Sequence, residues 1–137
     1  MPELTGVLET ALYVADLKRA REFYHTVLEL EPMEMDDRFC AFDVAGRQVL
    51  LLFRRGGSTT AMRTPGGVIP THDASGPLHL AFAIEAAALP AWEARLAEHG
   101  IAIESRVYWP RGGASIYFRD PDNHLIELAT PGVWTIY

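Results

Sequence analysis

Phe118-Arg119-Asp120-Pro121-Asp122-Asn123-His124-Leu125-Ile126-Glu127-Leu128, near the end of the chain, places one acid, Glu127, in the middle of an otherwise apolar strand. Ala114 to Phe118 reads as a strand. Asp-Pro-Asp-Asn then breaks it, because proline fixes φ and Asp and Asn accept turn conformations. Leu125 to Ala129 is the return strand of a hairpin. Side chains alternate along a strand, so Leu125, Glu127 and Ala129 share one face, and Ile126 and Leu128 share the other. A buried carboxylate is costly unless it is paired, hydrogen-bonded or bound to a cation. Glu127 therefore needs a partner.

Working outward, the same grammar occurs twice. Val7 to Val14 reads as a strand with a polar residue, Glu9, on the face of Ala11 and Tyr13. Asp16 is a helix N-cap candidate, and Leu17, Ala20, Phe23, Tyr24, Val27 and Leu28 recur at helical spacing up to Leu30, where Pro32 is read as the stop. Met33–Met35, Phe39–Val44 and Gln48–Phe53 follow as strands. After Arg54 to Pro77, read as an irregular linker and functional loop at once, the pattern restarts. Leu78 to Ile84 is a strand with His79 in the place of Glu9. Leu89, Trp92 and Leu96 stripe a helix ending at Gly100, and Ile101–Val107, Ala114–Phe118 and Leu125–Ala129 complete the set. The expected fold is α+β: two tandem βαβββ modules forming a curved mixed sheet around a cavity. Module one covers about 5–55, the connection 56–77, module two about 78–130 and a tail 131–137. Aligning the last strands sets Leu51 opposite Glu127, and Arg38 to Asp43 is read as the echo of Ser115 to Asp120.

Composition narrows the function. The 137 residues suit one domain with its own core, and 49% hydrophobic with 22% charged residues is ordinary for a globular chain. A net charge of −6 argues against nucleic acid or an anionic membrane as partner. The single cysteine, Cys40, excludes a disulfide framework and reads as a core residue. Met1 to Gly6 lack a basic stretch leading into an apolar run, and no apolar segment approaches a membrane span of ~20 residues, so a cytoplasmic location is expected.

If the modules bring equivalent positions together, Glu9, His79 and Glu127 project into one cavity. Three N/O ligands from separate strands with open positions left over are the pattern of a catalytic divalent site. A dication also lets both carboxylates stay ionised. Singly, each residue has another reading: His79 as a hydrogen-bonded core histidine, Glu127 as the partner of Arg106 or Arg111, Glu9 as a base or as an acid orienting His79. His72 reads either as surface or as a lid residue. His25, His99 and His124 read as solvent-facing. Tyr13 and Tyr117 are candidate cavity residues, as is Trp109 in the turn Trp109-Pro110-Arg111-Gly112-Gly113, whose Arg111 could meet a substrate carboxylate. The tail, with Trp134, Ile136 and Tyr137, is too apolar to be free and should dock.

ALYVADLKRAREFYHTVLEL in the first module, with GPLHLAFAI and SIYFRDPDNHLIEL in the second, resembles the vicinal oxygen chelate superfamily of glyoxalase I, bleomycin resistance proteins, fosfomycin resistance enzymes and extradiol dioxygenases. The resemblance implies paired βαβββ modules, a homodimer, and a divalent metal ion (Mn, Ni, Zn, Mg or Fe) that meets oxygen atoms of a small-molecule substrate. His79 and Glu127 match the ligands of the second module. Glu9 stands where members more often carry His or Gln, and Leu51 where glyoxalase I carries a further glutamate. The expectation is a metal-dependent lyase or isomerase with Glu9 or Glu127 transferring a proton. Extradiol dioxygenase chemistry is the alternative among enzymes, and a drug- or metabolite-binding protein is the alternative outside them.

Overall fold

The computed structural model describes all residues, 1–137. They divide into two compact units, Met1–Gly76 and Pro77–Tyr137. In the first, β1 (Glu9–Val14) leads through Asp16 into α1 (Leu17–Thr26), followed by β2 (Glu31–Met35), β3 (Phe39–Val44) and β4 (Gln48–Arg54). Asp16 caps α1 as expected, its carboxylate accepting from the Arg19 N–H at 3.0 Å. The helix stops earlier than expected, and Pro32 is not the cause. Glu29 takes a left-handed φ of 57°, Leu30 N–H bonds Tyr24 O, and Pro32 lies inside β2.

The sheet order is β1-β4-β3-β2, with β1 and β4 parallel and the other neighbours antiparallel. Alternation gives it two faces. Leu12, Val14, Cys40, Phe42, Leu50 and Leu52 are buried beside Ala20, Phe23 and Tyr24 of α1, and that apolar layer is the core of the unit. Burial also raises the pKa of the Cys40 thiol, as fits a core cysteine. Glu9, Ala11, Tyr13, Phe39, Leu51 and Phe53 fall on the other face. The stretch after β4, expected to be irregular, contains a small hairpin, β5 (Met62–Thr64) with β6 (Gly67–Ile69), turned by Pro65-Gly66.

The second unit repeats the plan with β7 (His79–Ala83), α2 (Leu89–Glu98, entered through a 3₁₀ turn), β8 (Ser105–Tyr108), β9 (Ala114–Arg119) and β10 (Leu125–Ala129), in the order β7-β10-β9-β8. Gly100, at φ 69°, ends α2 where a C-cap glycine was expected. The parallel pairs coincide in register: Ala11 opposes Leu51, and Ala81 opposes Glu127. Leu51 and Glu127 are thus equivalent, as the sequence suggested. The third strands are not aligned as expected. Leu51 opposes Ala41 and Glu127 opposes Tyr117, so Tyr117 corresponds to Ala41, one residue from the Cys40 that the sequence echo supplied. A one-residue slip exchanges faces, and Cys40 is indeed in the core while Tyr117 borders a pocket.

Candidate functional site

In the second unit, the hairpin of β9 and β10 sets Glu127 beside Tyr117, and the parallel pairing lays β7 along the other edge of β10. Glu127 is only 6% exposed and finds two partners. Its Oε1 lies 3.2 Å from His79 Nε2, and its Oε2 accepts from the Ser115 hydroxyl at 2.5 Å. Ser115 in turn accepts from the Trp109 indole N–H at 2.8 Å. No arginine serves Glu127; Arg106 pairs with Glu93 at 3.6 Å.

The His79 ring is oriented from its far side. Nδ1 lies 2.9 Å from the carbonyl oxygen of Leu125, which can only accept, so Nδ1 carries a proton. In neutral His79 the Nε2 lone pair then faces a carboxylate oxygen, an arrangement that asks for a proton or a cation between them. Two donor atoms this far apart suit neighbouring ligands on one divalent ion about 2.0–2.2 Å from each. A backbone carbonyl behind the imidazole and a hydroxyl behind the carboxylate are the outer contacts that orient metal ligands. The donor set fits a divalent ion.

Around this pair lies a cavity of about 520 Å³, walled by Ala81, Phe82, Ala83 and Ala129, by Trp109 and Tyr117, and by Val133, Trp134, Ile136 and Tyr137 of the tail. Burial, and then the negative Glu127, raise the pKa of the Tyr117 hydroxyl and hold it protonated. The tail docks through its last residue: Tyr137 donates to Ile84 O and Ala129 O at 3.0 and 2.8 Å. Gly113 N–H bonds Gly132 O at 3.1 Å, and a Cβ on Gly113 would come within 2.6 Å of the Gly132 carbonyl carbon. That contact fixes the Trp109 turn against the tail. Trp134 and Ile136 nevertheless remain 70% and 93% exposed, so the docking expected of the tail is carried by Tyr137.

In the first unit, Glu9, Tyr13 and His72 line a separate cavity of about 540 Å³ with Arg38, Phe39, Leu51, Phe53 and Ile69. Glu9 is exposed at the start of β1. The loop after β4 delivers His72: its backbone N–H bonds Ser58 O at 3.0 Å, its ring lies edge-on to Phe53 with centroids 4.5 Å apart, and its Nδ1 is 2.7 Å from the Tyr13 hydroxyl. Burial and Asp73 raise the pKa of Tyr13. Neither unit by itself gathers three His, Cys, Asp or Glu side chains; His79 and Glu127 belong to one, Glu9 to the other.

Arg111 is exposed and is not among the residues that border either cavity. His124, expected at the surface, is fully buried: its Nδ1 accepts from Leu78 N–H at 2.8 Å while its backbone N–H donates to the Asp120 carboxylate at 2.8 Å. It ties the Asp-Pro-Asp-Asn turn to the start of β7. Two polar residues escaped the sequence reading. Ser115 shares a strand face with Tyr117, a signal that it lies near Glu127, whereas nothing local marks Arg38.

Comparison with known proteins bears on this geometry directly. Residues 6–128 match the model of the Glyoxalase/Bleomycin resistance protein/Dioxygenase superfamily. The chain belongs to that superfamily. Among its members, the solved structure of a lactoylglutathione lyase from Agrobacterium tumefaciens is 33% identical, with a TM-score of 0.87 over 98% of this chain and 99% of that one. The metallothiol transferase FosB of Shouchella clausii is 28% identical over 93% of this chain and 81% of its own. The catechol-2,3-dioxygenase of Bacillus subtilis is 29% identical, but the match spans only 41% of its length. These superfamily relatives are enzymes of three different reaction types. No helix here is long and apolar enough to cross a membrane.

Proposed function

We propose that this protein is a divalent-metal-dependent enzyme acting on a small oxygen-bearing molecule, by lyase or isomerase chemistry. The observation that carries the reading is the His79–Glu127 pair, its two inward atoms 3.2 Å apart and each side chain held from behind by Leu125 O and Ser115. His79 and Glu127 are the ligands that this unit supplies. The ion, when bound, would supply Lewis acidity that polarises a substrate carbonyl or holds an enolate.

The chain's own side chains supply the rest. Ser115 occupies Oε2 of Glu127 and so leaves Oε1 toward His79. Glu127 provides the carboxylate for proton transfer. Tyr117, kept protonated, is a hydrogen-bond donor beside it, and the alanines with the tail give the pocket apolar walls. The likeness to a lactoylglutathione lyase supports lyase chemistry, while the apolar residue Leu51 at the position equivalent to Glu127 departs from the four-ligand glyoxalase set.

Elemental analysis of the purified protein beside Glu127→Gln and Glu9→Ala variants is the test. Near-stoichiometric metal, lost in Glu127→Gln, is expected, with turnover abolished by chelation. Iron in the purified protein would shift the chemistry to dioxygenation. No metal after reconstitution with Mn, Ni, Zn and Fe, with ligand binding intact, would leave a binding protein.

A further inference from the structure

The first-unit cavity is bordered by a cation that forms no ion pair. Arg38 stands just before β3, its backbone fixed on both sides: its N–H bonds the Asp36 carboxylate at 2.7 Å, and its carbonyl accepts from Arg54 N–H at 2.9 Å. The side chain is half-buried and lies over two rings, 5.6 Å from the Phe39 centroid and 5.9 Å from that of Phe53. Gly57 makes room for its stem, since a Cβ there would come within 3.1 Å of Arg38 Cγ. Nη1 donates to Ser58 Oγ at 3.3 Å. Arg38 forms no ion pair, and Nε and Nη2 have no acceptor in the protein.

Nε and Nη2 form the side edge of the guanidinium, two parallel N–H groups that match two oxygens of a carboxylate or phosphonate. An arginine stacked on aromatic rings in the lining of a cavity, with that edge unpaired, is preorganised for an anion. His72 borders the same cavity. In the tautomer in which the Tyr13 hydroxyl donates to Nδ1, neutral His72 carries its proton on Nε2 and is a further donor. Phe39, Phe53 and Leu51 offer apolar surface for the rest of a ligand, and Glu9 is the one acid in the lining.

We propose that this cavity is an oxyanion subsite: Arg38, assisted by His72, holds the carboxylate or phosphonate head of a small molecule whose apolar body rests on Phe39 and Phe53. As a statement about substrate class it rests on the enzymatic reading above. As a binding site it does not require a metal, so it is tested on metal-stripped full-length protein.

Benzoate and phenylphosphonate serve as probes, with benzyl alcohol as the neutral control, titrated while the Arg Nε–Hε resonances are followed by NMR. The expected result is saturable binding of at least one anion that shifts the Arg38 signal, with benzyl alcohol at least tenfold weaker; the anion bound more tightly identifies the head group. Arg38→Gln should weaken binding about tenfold or more, the scale of lost charged hydrogen bonds. Arg38→Lys, which keeps the charge but not the fork, should fall between, and Arg63→Gln on β5 should bind like the wild type. Glu9→Gln, by removing the only negative charge of the lining, should tighten it. Equal affinity for benzoate, phenylphosphonate and benzyl alcohol, or anion binding unchanged in both Arg38 variants, would overturn the proposal. Because no metal is present, a failed metal assignment leaves this result standing, and a failed subsite leaves the metal assignment standing.

Discussion

The two units carry one backbone plan with opposite chemistry at equivalent positions. Where the second unit has Glu127, opposed by Tyr117 and Ala81, the first has Leu51, opposed by Ala41 and Ala11. The second unit surrounds its acid with Ser115 and His79, while the first has an apolar residue there and draws its polar lining from the Tyr13–His72 pair, Arg38 and Glu9. A sheet register is held by backbone hydrogen bonds and tolerates almost any side chain on its open face. Duplication therefore preserves positions while letting the two faces diverge, and a charge inside one of them persists only where its neighbours satisfy it.

Converting one unit toward the other tests that contrast. Glu127→Leu, which copies the first unit, should lower metal affinity at least a hundredfold as measured by competition with a chelator. It should lower the melting temperature modestly, because the buried Ser115 hydroxyl loses its acceptor while the cost of burying the Glu127 charge is relieved. A large fall in stability would instead make Glu127 structural. Ser115→Ala removes only the support behind the carboxylate. Metal affinity should fall about 10- to 100-fold, the usual cost of losing an outer contact to a ligand, with Ser115→Thr restoring most of it. An unchanged affinity would show that Oε2 needs no partner.

The reverse conversion, Leu51→Glu, puts an acid in the half-buried lining of a cavity that His72 and Arg38 also border but with no counterpart of Ser115, and urea denaturation should show a loss of about 1 kcal/mol. A neutral result would mean that this face is wetter than its phenylalanines suggest. The smallest effect lies in the tyrosines. Tyr13 and Tyr117 both have raised pKa values, so folding favours their protonated forms. That contribution is complete below the ordinary tyrosine pKa of about 10 and is lost as pH rises through the folded-state values. Urea midpoints followed upward from pH 9 should fall in the wild type and fall less steeply in Tyr117→Phe; identical slopes would remove Tyr117 from the account.

The repeat was legible because strands and helices leave periodic traces. Asp16 marked its helix start, Gly100 its end, and Phe39–Val44 and Leu125–Ala129 agree residue for residue with the observed strands. The offset between the last strands could be read because Glu127 and Leu51 lie in equally apolar runs. The third strands could not be aligned as safely: Arg38 to Asp43 and Ser115 to Asp120 look alike, yet cross-strand hydrogen bonds set their true correspondence one residue away. Composition by itself does not encode register.

The amino-acid sequence alone determined the paired βαβββ plan, the family and the need of Glu127 for a partner, since each follows from local spacing, turn chemistry and the cost of burying a charge. Tertiary structure alone decided which partner it was, with Ser115 twelve residues away and His79 on a parallel neighbour. It also decided that His124 is buried and bonded to Leu78, that His72 meets Tyr13 across 59 residues, and that Arg38 keeps an open edge. Contacts of that kind arise where a long loop closes onto a sheet, and the chain carries no local signal for them because the free energy that selects them is gained only once the sheet exists.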